Sequence, residues 1–372
     1  MKNLAKKLLN LLVIALTLGF VLYTAFKNGD LNESLKSLSS MKPLYVCIGF
    51  VCTFASIFLY GVGAWSALKQ MGHKISLLHM FGIAVISEFY SGITPGATGG
   101  QPVAVYQMHK RGLPVGDSTS SLLMPHICFH IMLVVCTTVL GIVFRRFIAE
   151  QTGSRLWILI LGYVLNILMT FGFIMLCFTK KPVRLILKFV VWLCKKLHFK
   201  KIAAKEQSML KTADRFYNGM HRLYNNRVEF VQQLIYAAAR LLLLCSVQYW
   251  VYLGLGLRGA GFGAMLTMGV MQYCAAAYTP LPGASGAQEG VFALFFAGVM
   301  PGSLTVAGML AWRFLSFYSV LAIGLVVYLC MKVRTRVEIK HETGQSAPLL
   351  QPDFVESGRE LIDSEDSTET NE

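Results

Sequence analysis

Residues 94–101 read Thr-Pro-Gly-Ala-Thr-Gly-Gly-Gln, and residues 281–288 read Leu-Pro-Gly-Ala-Ser-Gly-Ala-Gln. Five of the eight positions are identical, and two more pair small residues of similar size. Each octamer interrupts an apolar stretch, about 75–108 and 262–299, with the helix-breaking pair Pro-Gly. The sequence therefore predicts two related broken helices, one in each half of the chain.

The composition indicates that most of the chain lies in a lipid bilayer. Hydrophobic residues make up 55% of the 372 residues, charged residues make up 14%, and the mean hydropathy is +0.56. A soluble domain carries about 25% charged residues, so this chain has too few to cover a water-facing surface. A helix that crosses a bilayer needs about 20 apolar residues. Six runs are long enough: 8–26, 43–67, 117–144, 157–178, 231–254 and 304–330.

Basic residues beside the apolar runs predict the topology, because basic loops stay cytoplasmic. They lie before the first run, on both sides of the first broken stretch and after the last run: Lys2, Lys6, Lys7, His73, Lys74, His109, Lys110, Arg111, Lys332, Arg334 and Arg336. We therefore expect a multi-pass plasma-membrane protein with both termini in the cytoplasm. Arg145 and Arg146 are exceptions, because this topology places them outside.

The order of elements is the same in both halves: span, span, hairpin, span. Because three spans is an odd number, the halves have opposite orientations, and the two hairpins dip toward each other from opposite faces. We predict an all-α polytopic membrane protein with about six full spans and two opposed re-entrant helical hairpins in an inverted repeat. The transmembrane domain covers 1–335, with repeat one at about 8–144 and repeat two at about 157–330. Inverted repeats with paired broken helices are a recurring transporter design.

Two segments outside the spans have a distinct composition. Residues 180–227 contain thirteen Lys or Arg and two acids, which predicts amphipathic helices lying on anionic inner-leaflet headgroups. The net charge of +15 thus lies beside membrane spans, which favours a membrane partner and argues against nucleic acid. Residues 341–372 are acidic and rich in Ser and Thr, and we predict a disordered cytoplasmic tail.

The octamers place the start of a half-helix inside the membrane. Its first N–H groups must face protein, water or a ligand, and the helix dipole there favours an anion such as phosphate. Thr98 and Ser285 are suited to cap such a turn. Gln101 and Gln288 match across the repeat and suit either a lipid headgroup or a neighbouring helix. The candidate substrate-binding residues of the octamers are Thr94, Gly96, Thr98, Gln101, Gly283, Ser285 and Gln288; close-packed corners without a ligand are the alternative.

Four charged residues lie within the apolar segments: Glu88, Glu289, Arg240 and Arg313. An ionised group at the bilayer centre is costly and is usually paired, so two acids and two arginines would neutralise each other. One interpretation is a structural set of ion pairs that locks the halves together. The other is a polar cavity in which Arg313 or Arg240 binds a lipid phosphate through its planar guanidinium group. All four are therefore candidate substrate-binding residues.

Enzyme signatures do not stand out. His126 and His130 lie four residues apart, but the zinc-protease pattern requires Glu at position 127, where Ile127 stands. Hydrogen bonding between helices is the expected role of both histidines. The nine cysteines include no C-x-x-C pair, and the sequence has neither a phosphate-binding loop nor a nucleophile–base constellation. We expect no catalytic residues, no metal and no cofactor.

Three segments resemble a known family: Ile93–Tyr106 (ITPGATGGQPVAVY), Thr279–Phe296 (TPLPGASGAQEGVFALFF) and Trp312–Gly324 (WRFLSFYSVLAIG). They are similar to the flippase-like transmembrane domain of lysyl-phosphatidylglycerol synthases of the MprF type, and the resemblance covers about residues 5–335. It implies movement of a phospholipid or another amphipathic lipid between leaflets, with Glu289 and Arg313 matching the acid and the span arginine of the family. Gly100-Gln101-Pro102 departs from the Gly-Glu and following Arg of many relatives. The soluble aminoacyl-transferase domain is absent from the sequence, so we expect no synthesis of lysyl-lipid.

Three alternatives to a lipid flippase remain open. One is a secondary transporter of a small soluble anion or of a polyprenyl-phosphate carrier. A second is a membrane enzyme acting on lipid headgroups, for which no catalytic cluster is evident. The third is a non-transporting partner subunit that docks through 180–227, and a homo-oligomer is compatible with each of these.

Overall fold

The computed structural model describes residues 31–179, 206–300 and 302–343, and this part of the chain is helical without a strand. One compact unit ends at Leu325. A second unit begins at Val326, and its described part continues the last helix to Thr343. All residues of the site described below belong to the first unit. The predicted first span at 8–26, the first part of the basic segment and the tail beyond 343 lie outside the described residues.

The helices follow the apolar runs of the sequence. They are α1 (Leu31–Ser39), α2 (Pro43–Gln70), α3 (Leu77–Ile93), α4 (Gly100–His109), α5 (Val115–Val143), α6 (Arg145–Thr152), α7 (Leu156–Phe178), α8 (Glu206–Asn225), α9 (Arg227–Gly254), α10 (Phe262–Ala276), α11 (Ala287–Phe296), α12 (Ser303–Arg313) and α13 (Ser319–Thr343). A π-helical segment, Phe314–Tyr318, joins α12 to α13.

Five helical segments of the described chain are long and apolar enough to cross a membrane: Pro43–Gln70, Val115–Val143, Arg145–Met175, Arg227–Gly254 and Ser303–Met331. They contain or overlap the five predicted spans that fall on described residues. Helix α7 carries exposed apolar side chains along its length, among them Leu161, Leu168 and Phe171. Exposed apolar surface of this extent suits contact with lipid. The chain is therefore a multi-pass helical membrane protein.

Both broken stretches are helix pairs interrupted where the sequence places Pro-Gly. Helices α3 and α4 are separated by a 3₁₀ turn at Pro95–Ala97, and α10 and α11 by one at Pro282–Ala284. The helices α3, α4, α10 and α11 have 10 to 17 residues, fewer than the roughly 20 that a full crossing requires. The prediction of two broken helices is confirmed, while their re-entry from opposite faces stays a prediction.

The two halves of the chain pack on each other through matching elements. Helix α2 makes its most extensive contact with α9, and these helices correspond to the second spans of the two predicted repeats. The turn Pro95–Ala97 contacts the turn Pro282–Ala284. Contacts between matching elements are what two related halves predict, and the inverted orientation of those halves stays a prediction.

The described part of the basic segment, helix α8, packs against the helices of the first unit. Tyr217, Met220 and Leu223 on its apolar face are buried, and α8 packs mainly on α5. Gly116 of α5 allows this close approach, because a Cβ atom there would lie 2.7 Å from the backbone oxygen of Thr212. The apolar face of α8 therefore contacts protein. Contact of the basic residues in 180–227 with anionic headgroups stays a prediction.

Candidate functional site

The two Pro-Gly turns share an uncommon backbone geometry. Gly96 and Gly283 both have φ of 59°, and the following alanines, Ala97 and Ala284, have φ of 55° and 49°. Left-handed backbone costs an L-residue about 1 kcal/mol or more, so a non-glycine residue adopts it only where its surroundings hold it there. The sequence repeat is therefore also a repeat of backbone conformation at these two positions.

Hydroxyl groups close both turns internally. Thr98 Oγ1 donates to the carbonyl oxygen of Pro95 over 3.0 Å, and Ser285 Oγ donates to that of Pro282 over 2.9 Å. We had expected these two residues to cap the turns as helix-capping side chains do, by accepting hydrogen bonds from amides. They act as donors to carbonyl groups, so they stabilise the turns without capping the half-helices.

Other side chains bind the first amides of the half-helices. Thr94 Oγ1 accepts a hydrogen bond from the amide of Gly99 over 2.9 Å. Glu289 Oε2 accepts one from the amide of Gly286 over 2.7 Å. These two donors are therefore satisfied by protein, and a ligand at the turns would have to use other groups.

A cavity of about 230 Å³ lies where the two turns meet. Its walls come from α2, α3, α9, α10, α11, α12, the π-helical segment and the start of α13, together with both turns. Six predicted site residues line it: Glu88, Gly96, Arg240, Gly283, Gln288 and Arg313. Thr94, Thr98, Gln101, Ser285 and Glu289 are not among the lining residues, and they support the walls through hydrogen bonds.

Arg240 and Glu88 form an ion pair between the two halves of the chain. Arg240 Nη2 donates to Glu88 Oε1 over 2.7 Å, and the side chains are 13% and 30% exposed. The guanidinium group also lies 4.6 Å from the ring centre of Tyr60 and 4.8 Å from that of Phe129. Two aromatic rings and one carboxylate thus hold Arg240 at the cavity wall, with more solvent access than the second arginine.

Arg313 and Glu289 form a second ion pair, which is almost completely buried. Arg313 Nε donates to Glu289 Oε1 over 2.6 Å, and the side chains are 5% and 3% exposed. Arg313 Nη2 also donates to the carbonyl oxygen of Gly283 over 3.2 Å. Both groups therefore have several partners, and the pair fixes the second turn against α12.

The two matched glutamines both bond to neighbouring helices. Gln101 Nε2 donates to the hydroxyl group of Tyr60 over 3.3 Å. Gln288 Oε1 accepts from Gln272 Nε2 over 3.2 Å, and Gln272 is fully buried. Interhelical bonding thus accounts for Gln101, whereas Gln288 also borders the cavity. Gln272 was missed because an isolated Gln in an apolar helix carries no motif.

The structure also adds Phe317, which no sequence pattern indicated. A Cβ atom on Gly283 would lie 2.5 Å from the Phe317 ring, and one on Gly92 would lie 3.2 Å from it. The ring therefore packs between α3 and the second turn. Phe317 belongs to the π-helical segment that directly follows Arg313, and such segments are frequent at functional sites.

His130 of α5 contacts Tyr278, which lies in the turn after α10, and a hydrogen bond from either histidine to another helix stays a prediction. The Nδ1 atom of His130 lies 3.1 Å from the hydroxyl group of Tyr278, and its ring centre lies 4.7 Å from that of His126. Within the described ranges, no group of three or more His, Cys, Asp or Glu side chains has the arrangement of a metal site.

These features define a class: a multi-pass helical membrane protein in which two broken helices meet at a cavity lined by two arginines. Residues 8–324 match the family described as the lysylphosphatidylglycerol synthase TM region, and the chain belongs to that family. It is also similar to a UPF0104 membrane protein of Archaeoglobus fulgidus, with 30% identity over 84 residues. That alignment covers 23% of this chain and 26% of the archaeal protein.

Proposed function

We propose that this protein moves a phospholipid, or another amphipathic lipid with an anionic headgroup, between the two leaflets of the membrane. One observation carries the proposal: the two Pro-Gly turns meet and line one cavity that also contains Arg240 and Arg313. Arginine side chains that line a cavity within a membrane protein suit a phosphate group. The family match supports a membrane domain related to lipid synthases and is compatible with this activity.

The size of the cavity favours a headgroup as its occupant. Pockets for whole drug-sized ligands measure about 300–1,000 Å³. The cavity of about 230 Å³ is smaller, so it suits a headgroup whose acyl chains remain in the bilayer. During transfer the headgroup would lie in the cavity, and the acyl chains would remain in the bilayer.

Arg240 is the better candidate for the first contact with the phosphate. Its pair with Glu88 consists of one hydrogen bond at a partly exposed position, and a phosphate could replace the carboxylate there. Arg313 is held by Glu289 and the backbone of Gly283, so its removal would disturb the turn itself. In this proposal Arg240 binds the headgroup, and Arg313 positions the turn.

The Arg240–Glu88 pair also suggests how access alternates. Glu88 belongs to the first hairpin and Arg240 to α9, so the pair joins the two repeats. Rocking of one repeat against the other is the common mechanism of inverted-repeat transporters. Exchange of the carboxylate for a phosphate would loosen this link and allow the repeats to move.

Purified protein in liposomes with fluorescent phosphatidylglycerol tests the proposal. Dithionite quenching measures how fast labelled lipid changes leaflet. We expect wild-type protein to accelerate the exchange, Arg240→Gln to abolish most of it, and Arg240→Lys to retain part, because lysine keeps the charge but loses the planar fork. Arg155→Gln, a change at an exposed arginine outside the cavity, is the matched control.

Unchanged exchange in Arg240→Gln and Arg313→Gln would remove the site assignment. A wild-type protein that moves no lipid but takes up inorganic phosphate into the liposome lumen would favour the soluble-anion alternative. Arg313→Gln is interpreted together with its thermal stability, because loss of a buried ion-pair partner weakens folding.

A further inference from the structure

We propose a second lipid site, a surface groove that binds one anionic glycerophospholipid separately from the central cavity. The groove has a volume of about 320 Å³ and lies between α5, α6 and α7, with Met271 of α10 at its base. Its lining is mainly apolar and includes Ile142, Leu159 and Ile160. An apolar groove on a membrane-spanning helix pair suits an acyl chain.

The side chain of Arg145 places a positive charge at the edge of this groove. Arg145, the first residue of α6, is exposed and lines the groove, and it forms no ion pair with any residue that the structure describes. Ile148, one turn later, is buried, so α6 turns an apolar face toward the protein. A guanidinium group beside an apolar groove matches a lipid whose phosphate and acyl chain are joined.

The groove opens outward. Ile142 and Ile160 line it and are more than half exposed at 68% and 54%, so the surrounding bilayer has direct access to it. Inside the groove, Thr138 Oγ1 and the Tyr163 hydroxyl group lie 2.6 Å apart and satisfy each other. An apolar chain in the groove would therefore leave this polar pair bonded.

The site also accounts for the exception in the charge pattern. The predicted topology places Arg145 and Arg146 outside, where basic residues are disfavoured. Binding of a lipid phosphate gives Arg145 a role on that side. The leaflet of the bound lipid follows from the topology, whereas the groove and its ligand class do not depend on it.

Gly141 offers a direct test, because its missing side chain leaves the groove open. A Cβ atom there would meet only the methyl group of Met271, at 3.5 Å. Gly141→Leu would therefore fill the groove without a clash at the Cβ atom, and leucine favours a helix more than glycine does. Blocking the groove in this way separates loss of the lipid site from loss of the fold.

Native mass spectrometry of the detergent-purified full chain, titrated with phosphatidylglycerol, measures binding. We expect one tightly retained lipid in the wild type, with apparent affinity about tenfold lower in Arg145→Gln, as for loss of a charge-assisted hydrogen bond. Gly141→Leu should lose the same lipid. Arg146→Gln, which removes the adjacent charge outside the groove, should retain it.

Arg240→Gln distinguishes this site from the central cavity. Retention of the lipid in Arg240→Gln and its loss in Gly141→Leu support the groove. Equal retention in wild type, Arg145→Gln and Gly141→Leu overturns the proposal, whatever the outcome of the leaflet-exchange experiment. Equal losses in Arg145→Gln and Arg146→Gln would also overturn it, because they would indicate charge at the interface without a defined site.

Discussion

Arg313 and Glu289 form the most buried ion pair of the described chain, with 2.6 Å between Nε and Oε1. The second carboxylate oxygen of Glu289 accepts the amide of Gly286, and Arg313 also binds the carbonyl oxygen of Gly283. The two side chains thus fasten both sides of the second Pro-Gly turn. A pair with this many internal partners stabilises the turn, whereas the pair of Glu88 and Arg240 is more exposed and is the one that we propose a ligand opens.

Glu289→Gln should destabilise the protein strongly. It leaves the buried guanidinium group of Arg313 without a counter-charge, and removal of one partner of a buried pair costs about 3 kcal/mol or more. The double variant Arg313→Met with Glu289→Leu should recover a large part of this loss, because apolar residues of similar size can replace a buried pair. Thermal unfolding in detergent measures the difference.

Arg155→Gln serves as the control for loss of one arginine, and it should leave the midpoint of unfolding unchanged. If Glu289→Gln were as stable as the wild type, the pair would not hold the turn. If the double variant were less stable than Glu289→Gln, the ion pair would stabilise the protein more than apolar residues of similar size can.

Glu88→Gln should strengthen binding of the lipid headgroup at Arg240. The Glu88 carboxylate accepts a hydrogen bond from Arg240, and the Glu88 side chain is 30% exposed. A lipid phosphate would compete with this carboxylate for Arg240. The amide that replaces it is uncharged, so we expect half-saturation of leaflet exchange at a lower lipid concentration. The stability should fall by less than in Glu289→Gln, because the Glu88–Arg240 pair is more exposed than the Glu289–Arg313 pair.

Glu150→Gln, at an exposed acid of α6 outside the cavity, is the matched control. A half-saturating concentration that rises in Glu88→Gln would mean that the carboxylate assists binding. The proposal that the Glu88 carboxylate and a lipid phosphate compete for Arg240 would then be wrong.

The octamers predicted the breaks in the fold because proline and glycine act locally. Pro95 and Pro282 each begin a 3₁₀ turn, and the glycines that follow adopt left-handed backbone, as their chemistry allows. The apolar runs likewise predicted the spans of the described chain, since length and hydropathy are properties of a single segment. Local physics thus sufficed for the positions of the two breaks and of the long apolar helices.

Partner choice in the site could not be predicted in the same way. The sequence offered two acids and two arginines, but only packing pairs Glu88 with Arg240 and Glu289 with Arg313. The π-helical segment and its Phe317 have no sequence signal, because the extra residue in a turn depends on the surrounding helices. The role of Thr94 was likewise unresolved, since a threonine before Pro-Gly can bond forward or backward.

A matched pair of glycines measures the contact between the second turn and Phe317. Gly96 and Gly283 have the same φ of 59°, so alanine at either position costs about 1 kcal/mol in backbone strain. A Cβ atom at position 283 would also lie 2.5 Å from the Phe317 ring, whereas one at position 96 has its nearest neighbour at 3.8 Å. We expect Gly283→Ala to lower the thermal stability more than Gly96→Ala.

Phe317→Ala completes a double-mutant cycle with Gly283→Ala. If the ring causes the excess loss, the double variant should be less destabilised than the sum of the two single variants. Additive losses, or equal losses at positions 96 and 283, would show that the ring moves aside without effect on stability.

Cysteine labelling tests the orientation of the hairpins. Each hairpin should enter and leave on one face, so its two flanks must be accessible from the same side of the membrane. Lys74→Cys and Arg111→Cys flank the first hairpin at exposed positions, and Arg258→Cys and Ala297→Cys flank the second. In oriented vesicles, a membrane-impermeant maleimide should label the first two from the cytoplasmic side and the other two from outside.

The background for this experiment keeps the native cysteines, and unsubstituted protein measures their labelling. Two flanks of one hairpin on opposite sides would make that hairpin a full span, and the count of three spans per repeat would change. Labelling of all four positions from the same side would show that the two hairpins do not enter the membrane from opposite faces. The turns would then lack the opposed arrangement on which the proposed rocking of one repeat against the other rests.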